Sequence, residues 1–147
     1  MKLRDFVCIE ATITELQASD RDGVITELVT SLDKAGKIGK GRRQDIIREV
    51  IKRENEASTG LGKGVAIPHV KHKGVKEAVA AIGQSSRGID FFSLDKQPVY
   101  SVILLISPAD DPDQHLQQER FRKFLRQCRS VEQVEDLLNE ADEDPSW

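Results

Sequence analysis

Aromatic residues make up only 5% of the 147-residue chain, and none lies in its most basic run, Lys34 to Arg53. Without rings to stack bases on, that run disfavours a nucleic-acid module, and the net charge of −3 argues against general polyanion binding. Cysteine is equally scarce. Cys8 and Cys128 are far apart and lack any CxxC or metal-ligand spacing, so they read as buried, reduced thiols. Long apolar runs are missing too. The N-terminus has no signal-peptide core, and the longest nearly apolar run, Val99 to Ser107, falls far short of the ~20 residues of a spanning helix. A cytoplasmic location without membrane insertion is the expectation.

Several ligand motifs are also lacking. No His-Glu-x-x-His and no zinc-type spacing occurs, although His69 and His72 are close and Asp110, Asp111 and Asp113 precede His115. No Lys-Ser or Lys-Thr pair follows the glycines at 60 to 64, as a phosphate-binding P-loop needs, and no helix opens after Gly64 as a dinucleotide fingerprint needs. Neither a metal nor a cofactor is expected.

What is present reads as one α/β domain over residues 1–147, with no internal repeat or low-complexity linker. Val7 to Ile13 suits a first strand. Ser19 and Asp20 are N-caps for a helix with apolar residues at Val24, Ile25, Leu28, Val29 and Leu32, stopped by Gly36. Ile46, Ile47, Val50 and Ile51 mark a second amphipathic helix ending near Glu56. Val65 to Ile67 predicts a short strand that stops at Pro68, which cannot donate to a sheet ladder. Ala78 to Gln84 predicts another strand, followed by a turn at Ser85 to Gly88. The Val-Ile-Leu-Leu-Ile run within Val99 to Ser107 reads as a central strand buried on both faces, with helices on both sides of a mixed sheet. Ser130 and Gln133 form a capping box for a last helix.

The chemistry centres on His69. It ends the segment Thr59-Gly60-Leu61-Gly62-Lys63-Gly64-Val65-Ala66-Ile67-Pro68-His69, in which glycines allow close backbone approach and a strand fixes the imidazole. A neutral imidazole is a competent nucleophile toward phosphorus or acyl carbon near pH 7. A transferred phosphoryl group needs its oxygens stabilised, and three groups are candidates: the amides of Gly62 to Gly64, the guanidinium of Arg53, and a second imidazole, His115. Each also has a plain reading. His69 can be an ordinary loop residue, His115 an exposed helix start, and Arg53 part of a charged helix face with Arg48, Lys52 and Glu54. His72, between two lysines, reads as solvated. The basic run from Lys34 to Arg53 reads as a solvated face or as a site for an acidic patch on a partner protein.

Arg53-Glu54, Thr59-Gly60-Leu61-Gly62, Gly64-Val65-Ala66-Ile67-Pro68-His69, Pro98 to Pro108 and His115-Leu116 together resemble the enzyme IIA domain of the bacterial phosphotransferase system, in its fructose/mannitol and nitrogen-regulatory class. Order and spacing match from about Leu3 to Leu116, and the Ala-Ile-Pro-His segment is the most specific part. The resemblance implies a three-layer α/β sandwich and a cytoplasmic phosphocarrier. It would take a phosphoryl group from HPr or its nitrogen-branch paralogue, and in the sugar branch pass it to a IIB partner. By the same resemblance, His69 is the phosphorylated nucleophile, His115 the second histidine at the phosphoryl group, and Arg53 the nearby guanidinium.

The pattern departs after His115, where Glu119 stands in place of an expected leucine and the chain is shorter by roughly one helix. That departure motivates an alternative: a IIA-like binding module that regulates a transporter or kinase without phosphoryl turnover. A cytoplasmic domain of an anion transporter is a more distant one. Among phosphocarriers, the nitrogen-related regulatory branch is preferred because no IIB or IIC segment is fused to the domain.

Overall fold

A computed structural model describes residues 7–109; His115, Cys128 and the expected capping box at Ser130 and Gln133 lie outside the described residues. Helix α1 spans Arg21–Lys34. It starts where Asp20 Oδ1 accepts the Gly23 N–H at 2.6 Å, and it buries the five apolar residues its spacing predicts. Helix α2, Arg43–Glu56, buries Ile46, Ile47 and Val50 in the same cluster, so both helices pack on one face of the sheet.

Five strands follow: β1 Gly60–Gly62, β2 Val65–Ala66, β3 His69–His72, β4 Val79–Ile89 and β5 Val99–Pro108. Strand β5 is central. It pairs parallel with β2 and β3 on one side and antiparallel with β4 on the other. Val102, Leu104 and Ile106 face the helices, while Ile103 and Leu105 are buried on the opposite face with Val65 and Ile67. The sheet is therefore mixed and its central strand covered on both sides, giving the α/β sandwich expected. No helix among the described residues is long and apolar enough to cross a membrane.

Two expectations need correction. Val7 to Ile13 is not a strand: Val7 and Ile13 each bridge β4, but a 3-10 turn at Ile9–Ala11 separates them, and buried Ala11 fills the space. The predicted turn at Ser85 to Gly88 lies inside β4. The register with β5 shifts there, between Gln84 and Ile89, with Gly88 at φ 85°, and the Glu15 carboxylate accepts the Ser86 N–H at 3.0 Å and its hydroxyl at 2.5 Å, which keeps the segment within the strand. At Pro68 the strand stops as expected, β2 ending at Ala66, but pairing with β5 resumes at His69. Val65 pairs with Ser101 and His69 with Leu105, so the register is kept across the proline. Pro68 forfeits one ladder bond, which splits β2 from β3, yet its carbonyl still accepts the Leu105 N–H at 3.0 Å.

Candidate phosphoryl-transfer site

His69 is the first residue of β3, partly exposed, directly beside Leu105 of the central strand. Alternation along β3 turns Val70 and His72 toward the helices and His69 toward the opposite face. The imidazole Nδ1 lies 3.0 Å from the Ile67 carbonyl oxygen. That oxygen can only accept, so Nδ1 carries the proton and Nε2 carries the ring's basic lone pair.

Ile67 is itself held from the other side. Its N–H donates to the Thr59 carbonyl at 3.3 Å, and Thr59 in turn gives its hydroxyl to Glu54 Oε1 at 2.5 Å and its N–H to Glu54 Oε2 at 3.2 Å. Glu54 is 97% buried at the end of α2, counting its 3% exposure. A buried carboxylate needs hydrogen-bond donors, and both come from one residue. A chain of bonds thus runs from α2 through Thr59 and Ile67 to the imidazole. Glu54 was part of the motif but not among the expected site residues. Its signal was present in the sequence: it falls four residues after Val50, on the apolar stripe of α2, where an acid is out of place without donors.

Arg53 lies in the last turn of α2 with an exposed side chain, and its guanidinium pairs with no carboxylate among the described residues. The glycine-rich loop is not where the sequence put it. Gly60 pairs with Ala66 and Gly62 with Val65, so the segment is a β-hairpin whose two-residue turn, Lys63-Gly64, has φ values of 55° and 80°. Both are left-handed, the signature of a type I′ turn. The Gly64 carbonyl accepts from Tyr100 and Ser101 N–H at the start of β5, and the Lys63 N–H donates to Asp95. Five residue steps along an extended chain separate Gly64 from His69, ~16 Å at about 3.3 Å each. The amides of Gly62 to Gly64 therefore do not reach the imidazole; the part of the loop linked to it is Thr59, through Ile67.

His72 is not solvated. It is 6% exposed, with Nδ1 accepting the Gly74 N–H at 2.8 Å and Nε2 donating to Asp45 Oδ2 at 2.5 Å. The two flanking lysines are exposed as the sequence suggests, but the strand's alternation turns the histidine between them inward. Its bond holds the Asp45 carboxyl below its ordinary range, with Arg48 adding to the effect. His72 thus ties β3 to α2 and is separate from the His69 face.

Comparison with known proteins places the chain in a family and matches its fold. A family model described as phosphoenolpyruvate-dependent sugar phosphotransferase system, EIIA 2, matches residues 6–144. The chain belongs to that family. Among curated EIIA relatives, the fructose-specific EIIABC component of Bacillus subtilis is 32% identical over 97% of this chain, which spans only 24% of that protein. A fructose-specific EIIA component from Haloferax volcanii is 30% identical, covering 90% of this chain and 92% of the relative. A nitrogen regulatory protein of Bradyrhizobium diazoefficiens is 31% identical over 86% of this chain and 81% of its own length. In structure, the nitrogen regulatory protein IIA-Ntr from Neisseria meningitidis superposes with a TM-score of 0.75 at 26% identity, covering 90% of this chain and 88% of the other. IIA mannitol from Escherichia coli, at 19% identity and a TM-score of 0.67 over 94% of this chain and 99% of that one, shares the fold.

Proposed function

We propose that this EIIA-family chain is a phosphohistidine carrier and that Nε2 of His69 is the atom that accepts the phosphoryl group. The observation that carries the reading is the Nδ1 to Ile67 carbonyl bond of 3.0 Å. With Nδ1 protonated, Nε2 attacks phosphorus on a donor phosphohistidine. The new P–Nε2 bond forms as the donor P–N bond breaks, and that electron pair returns to the donor ring. Positive charge developing on the His69 ring meets the negative end of the Ile67 carbonyl dipole, which is already in place. Transfer between two imidazoles needs positioning and charge stabilisation more than covalent assistance.

The donor in this reading is HPr or its nitrogen-branch paralogue, and Arg53 and His115 meet the phosphoryl oxygens. A IIB domain is the acceptor if the chain serves a sugar branch; support comes from a solved complex of enzyme IIA-Mtl with phosphorylated enzyme IIB-Mtl. The regulatory branch is preferred, on the TM-score of 0.75 to IIA-Ntr against 0.67 to IIA mannitol.

Intact-mass and 31P NMR analysis after incubation with phosphoenolpyruvate, enzyme I and an HPr-type donor tests the reading, with His69→Ala alongside. One acid-labile phosphoryl group on the natural protein and none on the variant supports it. No phosphoryl group, with the donors active on another IIA protein, turns the reading to a docking module that regulates a transporter or kinase without turnover.

A further inference from the structure

Four cations converge where the helical face of the sheet meets two turns, well away from His69. A cavity of about 570 Å³ is lined by Lys37 and Arg42 from the turn between α1 and α2, and by Lys73 and Lys76 from the turn between β3 and β4. Glu10 and Glu77 also line it, which leaves an excess of two positive charges among these six. Three other arginines among the described residues are in ion pairs: Arg43 with Asp33, Arg48 with Asp45, Arg21 with Asp22. None of the four cavity cations has a carboxylate partner within ion-pair distance among the described residues.

The two turns that carry them are pinned together. Gly39 N–H donates to the Gly74 carbonyl at 2.7 Å, Arg42 N–H donates to the Gly39 carbonyl at 3.1 Å, and Gly74 N–H is held by buried His72. A Cβ on Gly74 would lie 2.8 Å from His72 Nδ1 and 3.0 Å from Arg42 Cβ, so the turns are in close contact. A frame braced in this way presents its cations to an anion at little cost in ordering.

We propose that this cavity binds a small phosphorylated metabolite, with the cations on its dianionic phosphate. The volume fits such a ligand: small-molecule pockets run from about 300 to 1,000 Å³, larger than a bare ion needs. An arginine with three lysines is a set suited to a phosphate dianion. The site lies on the face of the sheet opposite to the one His69 faces. It is an effector site, and it stands whether or not His69 carries phosphate.

The test is a titration of the full 15N-labelled chain, followed by amide shifts, with glucose 6-phosphate, inorganic phosphate and glucose, at constant ionic strength. Saturable shifts confined to residues 36–42 and 73–79 with the ester support the proposal. Tighter binding of the ester than of inorganic phosphate supports a ligand that also fills the cavity, and equal binding overturns the metabolite in favour of the bare ion. The double variant Lys73→Gln/Lys76→Gln removes two exposed side chains, keeps the fold's amide pattern, and weakens ester binding about tenfold or more. Glucose binding as well as its phosphate, no saturable shift at millimolar ester, or unchanged affinity in the double variant overturns it. So does a response only to an acidic peptide, which would make the surface a protein contact.

Discussion

His69 Nδ1 and the Ile67 carbonyl oxygen stand 3.0 Å apart, two residues from each other across Pro68. The proline locks its φ, so this bond is made within a stiff stretch of backbone and fixes both the tautomer and the ring orientation. The expected product is phosphorylated on Nε2. Long-range 1H–15N correlation of the phosphorylated protein checks this by assigning the phosphorus-coupled ring nitrogen. Phosphorus on Nδ1 would mean the ring must rotate away from Ile67 before transfer, and the proposed attacking atom would be wrong.

The Thr59 hydroxyl is expected to contribute to stability and only indirectly to transfer. Thr59→Val preserves shape but leaves Glu54 Oε1 without its 2.5 Å donor in a buried place. An unmet buried acceptor costs about 1–3 kcal/mol, which urea unfolding reads as a lower midpoint with an unchanged slope. Phosphoryl uptake in the variant slows but does not vanish, because the Thr59 carbonyl still holds the Ile67 N–H. Complete loss of uptake in a folded Thr59→Val protein would show that the hydroxyl meets the phosphoryl group itself.

The helices, the central strand and the place of His69 were legible because each rests on local signals. Asp20 caps, Val24 to Leu32 keep helical spacing, and Val102 to Ile106 are apolar without interruption. What was not legible depends on partners distant in sequence. Nothing in Ser85-Ser86-Arg87-Gly88 announces that Glu15, 71 residues before Ser86, will hold it within a strand as an irregularity rather than a turn. Likewise His72 looks solvated between lysines until Asp45, 27 residues earlier, supplies its acceptor. The glycine loop was misread for a different reason. Three glycines fit a phosphate cradle and a tight hairpin equally well, and only the pairing of Gly62 with Val65 decides between them.

Acid should loosen the link between β3 and α2 through Asp45. Its carboxyl titrates lower in the folded chain than in the unfolded one, first because His72 donates to it and then because of Arg48. A depressed folded value means the stabilisation is complete above the unfolded value of about 3.9 and is lost as pH falls through the folded value. Asp45→Asn removes that titration. Its stability is expected to be lower than that of the natural protein at neutral pH, with the difference shrinking in acid below about pH 4. Urea midpoints measured from neutral to acid pH give the answer, and a constant difference would rule out Asp45 as a source of acid sensitivity.

Gly64→Ala separates the two readings of the glycine loop. Gly64 has φ of 80°, and an alanine there suffers the left-handed penalty of about 1–2 kcal/mol. Lys63 beside it has φ of 55°, so Lys63→Gly should move stability the other way, by about 0.5–1 kcal/mol, as a non-glycine residue is relieved of that strain. If the turn serves only to fold the hairpin, both variants take up phosphoryl at the natural rate per folded molecule, since the turn is ~16 Å from the imidazole. If its amides cradled the phosphoryl group, Gly64→Ala would slow uptake far beyond its effect on stability while Lys63→Gly would not. Unfolding midpoints and phosphorylation rates measured on the same two proteins distinguish these results, and the hairpin geometry predicts the first.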